Sequence, residues 1–250
     1  MPGSVNSNFI NAPVWQQQLL TNETLDDKTI HIWMGNTADL LKHYDDFFLL
    51  LNQWEQTAAL RYYQLKDQQR YVIQHGVLRI LLGKYLGVPQ ADISYIYNQT
   101  KKPYLANGAC FFNISHSHGY FLIALSDEEL GVDIEYINPE FQYQDIALQY
   151  FSAGEMAYID QSENPNQAFF LLWTRKEALL KACGTGIDDN LPALPALNGK
   201  HALPVAYPFT EYLTSSFFIP HNFMGSVTYM APKRTIKFYD ITSDEVTALF

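Results

Sequence analysis

Two acidic residues lie two positions apart in the segment GVDIEYI, residues 131–137. Successive side chains of a β-strand point to opposite faces, so Asp133 and Glu135 share one face while their apolar neighbours share the other. Like charges this close repel each other unless a cation lies between them, and a hard divalent cation with oxygen ligands meets that need. An exposed strand face with two hydrated carboxylates is the alternative. This segment alone leaves both interpretations open.

A second pair of charged residues lies in the segment WTRKEALLKA, residues 173–182. Glu177 and Lys181 are four positions apart, so they share one face of a helix. A solvated ion pair of this spacing is common and contributes only about 0.3–0.5 kcal/mol. Because such pairs are so common, this spacing alone is a weak indication of function.

The third candidate is FFNISHSHG, residues 111–119, where small polar side chains alternate along a strand that runs into a turn. Ser115, His116 and the backbone amides of the turn suit an anion such as phosphate. The segment KKP, residues 101–103, comes shortly before and adds Lys102 as a cation. A polar hairpin turn without a ligand is the alternative.

Hydrophobic periodicity predicts the elements that position these side chains. Residues 110–115 and 120–126 read as paired strands joined through HSHG, and residues 130–137 read as the strand that carries the two acids. Residues 166–184 read as an amphipathic helix that ends at Gly184. The chemistry-bearing residues therefore lie on adjacent strands and on one long helix.

The remaining sequence extends the same α/β order. Residues 45–63 and 66–87 are predicted to be helices, and further strands close the chain. Residues 1–28 are polar and are predicted to form a loose arm. Residues 188–210 contain four prolines and are predicted to form a long surface loop.

Composition limits the class of protein. The 250 residues include 48% hydrophobic residues, enough for a sizeable core, and carry a net charge of −10. That charge argues against a broad nucleic-acid-binding surface, which needs clustered Lys and Arg. Two cysteines give no disulfide framework and fit a reducing cytosol. We find no signal peptide and no apolar run of ~20 residues, so we expect a soluble, cytoplasmic protein that does not enter membranes.

The motifs occur in a characteristic order: K-P, then N-I-S-H-S, then G-V-D-I-E, then W-x-x-K-E-A-x-x-K. In this order and spacing, over about residues 60–187, the chain resembles the 4′-phosphopantetheinyl transferases of the surfactin-synthetase type. The resemblance implies an α/β fold in which two similar halves form a pseudo-dimer, with coenzyme A in the cleft between them. We place these halves at residues 1–127 and 128–250.

The resemblance also implies the activity. Members of this family transfer the phosphopantetheine arm of coenzyme A to a serine of an apo acyl or peptidyl carrier protein and release 3′,5′-ADP, with Mg²⁺ as cofactor. We expect a monomer whose partners are carrier domains of fatty-acid, peptide or polyketide synthesis. Residues 137–151 present apolar and aromatic side chains that could receive the carrier.

Matching the motifs position by position implies individual roles. The family's magnesium ligands correspond to Asp133, Glu135 and Glu177. Its contacts to the nucleotide phosphates correspond to Lys102, Ser115 and His116. Its lysine near the pyrophosphate corresponds to Lys181. Glu177 is then the expected general base, directly or through a water, and Lys181 the group that stabilises or protonates the departing ADP oxygen.

The first half of the chain departs from the family pattern. Some relatives carry lysines for the 3′-phosphate in the stretch that corresponds to residues 51–63, where this chain has Arg61 as its only cation. Relatives often have an arginine where His75 stands. Arg79, one helical turn after His75, is therefore the expected phosphate contact. Two other classes of protein stay open: a Mg²⁺-dependent hydrolase of the coenzyme A pyrophosphate, and a non-catalytic module that binds coenzyme A or the carrier.

Overall fold

The computed structural model describes residues 3–17, 25–186, 191–208 and 210–247. Two five-stranded sheets and a two-stranded ribbon form in this part of the chain. The strands are β1 (Ser4–Ile10), β2 (Trp15–Gln16), β3 (Thr29–Asn36), β4 (Tyr95–Tyr97), β5 (Pro103–Leu105), β6 (Phe111–Ser117), β7 (Tyr120–Ser126), β8 (Leu130–Tyr136), β9 (Gly199–Ala202), β10 (Glu211–Ile219), β11 (Phe223–Met230) and β12 (Thr235–Asp240).

Each sheet carries one long helix. The helices are α1 (Tyr44–Leu50), α2 (Gln53–Ala59), α3 (Leu65–Leu86), α4 (Gln144–Tyr150), α5 (Ala153–Asp160), α6 (Pro165–Cys183) and α7 (Ser243–Thr247). The apolar side of α3 joins β3, β6 and β7 in one buried cluster, and α6 packs on the sheet that contains β8. Gly184 ends α6 in the left-handed conformation (φ 68°), as its sequence position predicts.

The two sheets repeat one topology. The first has the order β6-β7-β3-β12-β2, and the second has the order β8-β11-β10-β1-β9. In each, two antiparallel pairings are followed by a parallel one, β3 with β12 and β10 with β1. The fifth strands differ, because β2 is parallel to its neighbour and β9 is antiparallel. The structure therefore has the expected α/β fold of two similar halves.

The fourth strand of each sheet comes from the opposite end of the chain. β12 pairs with β3 in the first sheet, and β1 pairs with β10 in the second. The expectation of a loose arm over residues 1–28 is therefore wrong for β1, whose Val5 is buried; residues 18–24 lie outside the described part. The division at residues 127 and 128 stays a prediction, with this exchange of strands across it.

The predicted helix over residues 45–63 is two helices. Leu51 has an extended conformation (ψ 142°) and ends α1, and Asn52 then caps α2. The Asn52 side chain accepts from the Glu55 amide, and the Glu55 side chain accepts from the Asn52 amide, which makes a capping box. The reciprocal pair satisfies two amides that a continuous helix would have bonded within itself.

The expectation of a surface loop over residues 188–210 is also wrong for its described parts. Leu191, Leu194, Leu203 and Tyr207 are buried in one cluster with the C-terminal half of α6. Lys176 of α6 donates to the carbonyls of Leu191 and Leu194. The prolines predicted turns, but the apolar residues of the segment are buried against α6, so the segment packs on the helix and is not a surface loop. None of the helices described here combines the length and apolar composition needed to cross a bilayer.

Candidate active site

The two sheets meet at their edge strands β6 and β8, and polar side chains of β6 take the place of main-chain carbonyls there. Alternate residues of β6 accept hydrogen bonds from alternate amides of β8. The pairs are Val132 N–H to Asn113 Oδ1 (2.8 Å), Ile134 N–H to Ser115 Oγ (3.4 Å) and Tyr136 N–H to Ser117 Oγ (3.1 Å). Because strand side chains alternate, this contact aims one face of each strand at the same seam.

Gly131 lets the backbone of α6 lie directly against β8. A Cβ at this position would be 2.2 Å from the carbonyl oxygen of Ala178 and 2.3 Å from the amide nitrogen of Ala182. Neither backbone atom can move away without displacing the helix. The glycine that begins the GVDIE motif therefore sets the distance between the strand with the acids and the helix with Glu177 and Lys181.

Asp133 is buried and binds a cation from this helix. The Lys181 Nζ lies 2.6 Å from Asp133 Oδ1 and also donates to Ser115 Oγ (2.9 Å) and to the Val132 carbonyl (3.2 Å). Ser115 Oγ donates to the same carboxylate oxygen at 2.7 Å. The structure thus brings Asp133, Ser115 and Lys181 together. Ser115, predicted to contact phosphate, is 7% exposed and fully engaged in this cluster.

Glu135 lies beside Asp133 on β8, as strand alternation predicts, and is half-buried. Its Oε2 accepts from Ser117 Oγ at 2.8 Å. Burial raises the pKa of Glu135 to about 7, and the negative charge of Asp133 adds to that shift. This carboxylate holds its charge poorly unless a further cation approaches it.

Glu177 does not form the helical ion pair that its spacing from Lys181 allows. Among the described residues no salt bridge joins it to Lys181, which turns to Asp133 instead. Burial raises the pKa of Glu177 to about 7, and Asp133 contributes to the shift. The solvated pair that the helical spacing allowed is therefore excluded, and Glu177 belongs to the same carboxylate group.

The described residues contain no cluster of three or more His, Cys, Asp or Glu side chains in metal-binding geometry. The chemistry of the donors nevertheless fits Mg²⁺, which prefers carboxylate oxygens. Asp133 Oδ2 and Glu177 Oε1 are buried and lack a hydrogen-bond partner in the part of the chain the structure describes. With Glu135 they form an oxygen-only set of three carboxylates to which Lys181 brings one positive charge, so these residues suit a further cation even though their positions do not enclose one.

Lys102 lies close to this group but is already engaged. Its Nζ donates to Glu129 Oε2 (2.8 Å), to the Lys181 carbonyl (2.8 Å) and to the Leu130 carbonyl (3.2 Å). These bonds tie the loop before β5 to the start of β8 and to the last turn of α6. The predicted contact between Lys102 and a nucleotide phosphate stays a prediction, and in this arrangement the lysine would have to leave three acceptors to make it.

The structure corrects the expectation for Arg79. Its side chain has no exposed surface, and its guanidinium group donates to Glu55 Oε2 (2.7 Å) and to the carbonyls of Gln90 and Ile93. Because the side chain is fully buried, a phosphate cannot reach the N–H groups that these three bonds leave over. The helical spacing from His75 is as expected, but this face of α3 packs against α2, whose Glu55 provides the charge partner.

His116 is exposed at the end of β6, next to a cation that sequence reasoning missed. Partial loss of water contact lowers the pKa of His116, and the positive charge of Arg70 lowers it further, so Arg70 is within electrostatic range of the imidazole. Arg70 pairs with Asp67 (2.8 Å) and lines a surface pocket together with Lys66. The four-residue spacing of Lys66 and Arg70 at the start of α3 was the available signal.

Two adjoining pockets open beside the seam. The first, of about 280 Å³, is lined by Glu177 and Lys181 together with residues 100–103 and Asn113. The second, of about 300 Å³, shares Lys101, Pro103 and Asn113 with it. Its remaining wall is mostly aromatic: Trp54, Tyr71, His75, Tyr95, Tyr97 and Phe112. Together they form a groove that leads from an aromatic wall to the carboxylate group.

Comparison with known proteins identifies two matching family models. Residues 129–204 match the 4′-phosphopantetheinyl transferase superfamily, and residues 38–128 match the N-terminal part of 4′-phosphopantetheinyl transferases. The first match contains the acids of β8 together with Glu177 and Lys181. The second contains His116 and the aromatic wall.

Individual relatives agree with the family models. The chain is 32% identical over 173 residues to the 4′-phosphopantetheinyl transferase HetI of Nostoc, which covers 66% of this chain and 73% of the relative. It is 34% identical over 135 residues to the 4′-phosphopantetheinyl transferase gsp of Aneurinibacillus migulanus, covering 53% and 56%. It is 34% identical over 132 residues to a 4′-phosphopantetheinyl transferase of Bacillus subtilis, covering 51% and 58%.

Proposed function

The chain belongs to the 4′-phosphopantetheinyl transferase family, and we propose that it is a member of the surfactin-synthetase type that transfers the phosphopantetheine arm of coenzyme A to a serine of an apo carrier protein. 3′,5′-ADP leaves. The enzyme acts as a monomer in the cytoplasm, with Mg²⁺ as cofactor and residues 1–127 and 128–250 as its halves. The observation that carries the proposal is that one cluster at the seam gathers Asp133, Glu135, Glu177 and Lys181.

Glu177 is the general base of this proposal. Its Oε1 has no hydrogen-bond partner among the described residues, and Glu177 lines the pocket at the carboxylate group. Burial raises the pKa of Glu177 to about 7 in the metal-free protein, and a bound cation lowers it again, so the carboxylate is ionised near neutral pH and can accept the proton of a serine hydroxyl, directly or through a water. Proton removal makes that oxygen the nucleophile for the β-phosphorus of coenzyme A.

Lys181 stabilises the leaving group. Its Nζ is fixed by Asp133 Oδ1 and Ser115 Oγ, and its side chain is 27% exposed at the pocket. The P–O bond to ADP breaks as the serine oxygen bonds to phosphorus, and negative charge develops on the departing oxygen. An ammonium group held beside that oxygen lowers the barrier without further reorganisation.

When bound by Asp133, Glu135 and Glu177, magnesium supplies positive charge that neutralises the pyrophosphate oxygens. The fit of this group rests on the oxygen-only donor set and on the unpartnered buried oxygens of Asp133 and Glu177. Burial of Glu135 and Glu177 raises their pKa values because it disfavours the charged carboxylate. A cation beside them restores the charged form, so binding of the cation is favoured.

The nucleotide end of coenzyme A lies in the groove. A purine base suits the aromatic wall. The ring centroids of Trp54 and Tyr97 are 5.2 Å apart there, and Tyr71 stacks on His75 with a centroid distance of 4.0 Å. Arg70 supplies positive charge for a phosphate, and His116, whose pKa is lowered, supplies a ring N–H donor. Ser115 and Lys102, the other expected phosphate contacts, stabilise the site through hydrogen bonds to β8 and α6.

The carrier docks on α4. Within residues 137–151, Phe141, Tyr143 and Tyr150 are half-buried and Phe151 is buried. Phe141 and Tyr143 pack on Phe169 of α6. Leu148 is 72% exposed and presents an apolar side chain to solvent. The exposed face of a short helix is suited to a helix of a carrier domain.

The test incubates the protein with coenzyme A, Mg²⁺ and an apo carrier domain. Intact-mass measurement of the carrier and chromatography of the nucleotide then report the two products. Transfer predicts a gain of one phosphopantetheine on the carrier and an equal amount of 3′,5′-ADP. Nucleotide release without a mass gain indicates a hydrolase, and no product from a protein that binds coenzyme A indicates a non-catalytic module; either result overturns the proposal.

A further inference from the structure

The serines of β6 connect the seam to the carboxylates. Each of Ser115 and Ser117 accepts a hydrogen bond from a β8 amide and donates one to the carboxylate of the preceding β8 residue. Ser115 Oγ accepts from the Ile134 amide and donates to Asp133 Oδ1 (2.7 Å). Ser117 Oγ accepts from the Tyr136 amide and donates to Glu135 Oε2 (2.8 Å). Two residues on β6 thus repeat one arrangement along β8.

The direction of these bonds follows from the chemistry of a hydroxyl group, which has one hydrogen and two lone pairs. An amide can only donate, so it occupies a lone pair of Oγ and leaves the hydroxyl hydrogen for an acceptor. For Ser117 the acceptors in reach are Glu135 Oε2 and, at 3.2 Å, His118 Nδ1. The carboxylate is closer and charged, so it takes the hydrogen.

Asn113 provides a natural contrast. It accepts from the Val132 amide at 2.8 Å, so it contributes to the seam in the same way as the serines. The residue before Val132 is Gly131, which has no side chain to hold. Asn113 therefore joins the sheets without touching a carboxylate, whereas the two serines do both.

We propose that Ser117 is a positioning residue: its hydroxyl group, oriented by the Tyr136 amide, holds Glu135 in the orientation that the magnesium site requires. Ser115 does the same for Asp133. This inference rests on the proposed function, since it assigns a role to a residue of that site. Ser117 is the better probe, because Ser115 also accepts from Lys181.

Position matters here because the two carboxylates repel each other. Glu135 is half-buried and, among the described residues, receives a side-chain hydrogen bond from Ser117 alone, while Asp133 is held by both Lys181 and Ser115. Without the Ser117 hydroxyl, repulsion from Asp133 turns Glu135 outward. Loss of an outer partner of a metal ligand usually costs about 10–100-fold in metal affinity or activity.

The experiment measures Mn²⁺ affinity of the intact protein by electron paramagnetic resonance, together with the Mg²⁺ concentration that half-saturates transfer. Ser117→Ala is expected to weaken both by about 10–100-fold, with recovery of the rate at high Mg²⁺. Asn113→Ala removes a seam bond whose acceptor touches no carboxylate, so its Mn²⁺ affinity should stay within threefold of the wild type while its melting temperature falls.

A second measurement separates positioning from general weakening of the seam. If Ser117 acts through Glu135, Ser117→Ala has no further effect on Mn²⁺ affinity in a Glu135→Ala background. Ser117→Thr keeps the hydroxyl group and should bind Mn²⁺ more tightly than Ser117→Ala. Should Ser117→Ala not fold, Ser117→Cys, which has a weaker donor of similar size, is expected to show the same loss of affinity.

The outcomes are distinct. Wild-type affinity in Ser117→Ala, or equal losses in Ser117→Ala and Asn113→Ala, overturns the positioning role while the transferase stands. A wild-type protein that binds no Mn²⁺ and transfers without added metal overturns the magnesium assignment and the inference with it. A wild-type protein that transfers nothing overturns the proposed function itself.

Discussion

Lys181 binds Asp133 across 2.6 Å, although Glu177 lies one turn before it on the same helix. The lysine therefore connects α6 to β8, and Glu177 is left with an unpartnered buried oxygen among the described residues. Lys181 is therefore not a solvated surface residue of the helix, because a buried carboxylate on another element holds its ammonium group. This arrangement also means that the cation nearest the carboxylates is one the protein supplies itself.

Gly131→Ala should abolish transfer. The added methyl group would collide with backbone atoms of Ala178 and Ala182, so α6 must move away from β8. Overpacking of this kind costs about 1–3 kcal/mol of stability. Thermal melting and single-turnover transfer measure the two effects. Gly154→Ala, on α5 with open space around it, is the control and should leave both unchanged. Full activity in Gly131→Ala would contradict the assigned contact.

Stability of the metal-free protein should depend on pH through Glu135. Its pKa is about 7 in the folded state and near 4.5 in the unfolded state. Between these values the unfolded chain loses the proton first, so stability falls as pH rises and levels off above pH 7. The loss is at most about 3 kcal/mol.

Glu135→Gln cannot ionise, so its advantage in melting temperature over the wild type should grow from pH 4.5 to 7. Glu163→Gln, an exposed control, should show a constant difference. Added Mg²⁺ should stabilise the wild type most at high pH. A difference that does not change with pH would show that burial does not disfavour the charge of Glu135.

His116→Ala and Arg70→Ala should weaken binding of coenzyme A more than binding of dephospho-coenzyme A. Both residues are assigned to a phosphate, and a charged hydrogen bond contributes about 1.5–3 kcal/mol. Calorimetry with the two ligands measures the difference, and Lys233→Ala, at an exposed lysine before β12, is the control. Equal losses for both ligands would place His116 and Arg70 away from the 3′-phosphate.

Leu148→Asp should raise the KM for the carrier domain about tenfold or more, because it places a charge in an apolar contact. Affinity for coenzyme A should not change, since Leu148 lies on α4 and not in the groove. Leu49→Asp changes a leucine of similar exposure on α1 and should leave carrier kinetics alone. An unchanged KM in Leu148→Asp would move carrier docking to another surface.

Local patterns predicted much of the fold and the acids of the site. Alternation placed Asp133 and Glu135 on one face of β8, and helical spacing placed Glu177 and Lys181 on α6. Both patterns concern neighbours along the chain, where geometry depends on few variables. The motif order added the expectation that the strand and helix meet.

Long-range partners could not be predicted in the same way. Arg79 looked available because its partner Glu55 lies 24 residues away on another helix. Lys102 looked like a phosphate ligand, and its acceptors lie at the ends of β8 and α6. The pairing of β1 with β9 and β10 could not be predicted, because the polar sequence of β1 lacks the alternation that indicates a strand.

The central claim is that Glu177 acts as general base in a carboxylate cluster. Single-turnover transfer from coenzyme A to an apo carrier domain tests it most directly, with Glu177→Gln compared against Glu163→Gln. The account predicts a rate about 10²–10⁴-fold below the wild type for Glu177→Gln, with folding intact and Glu163→Gln at the wild-type rate. A Glu177→Gln rate within threefold of the wild type would contradict it.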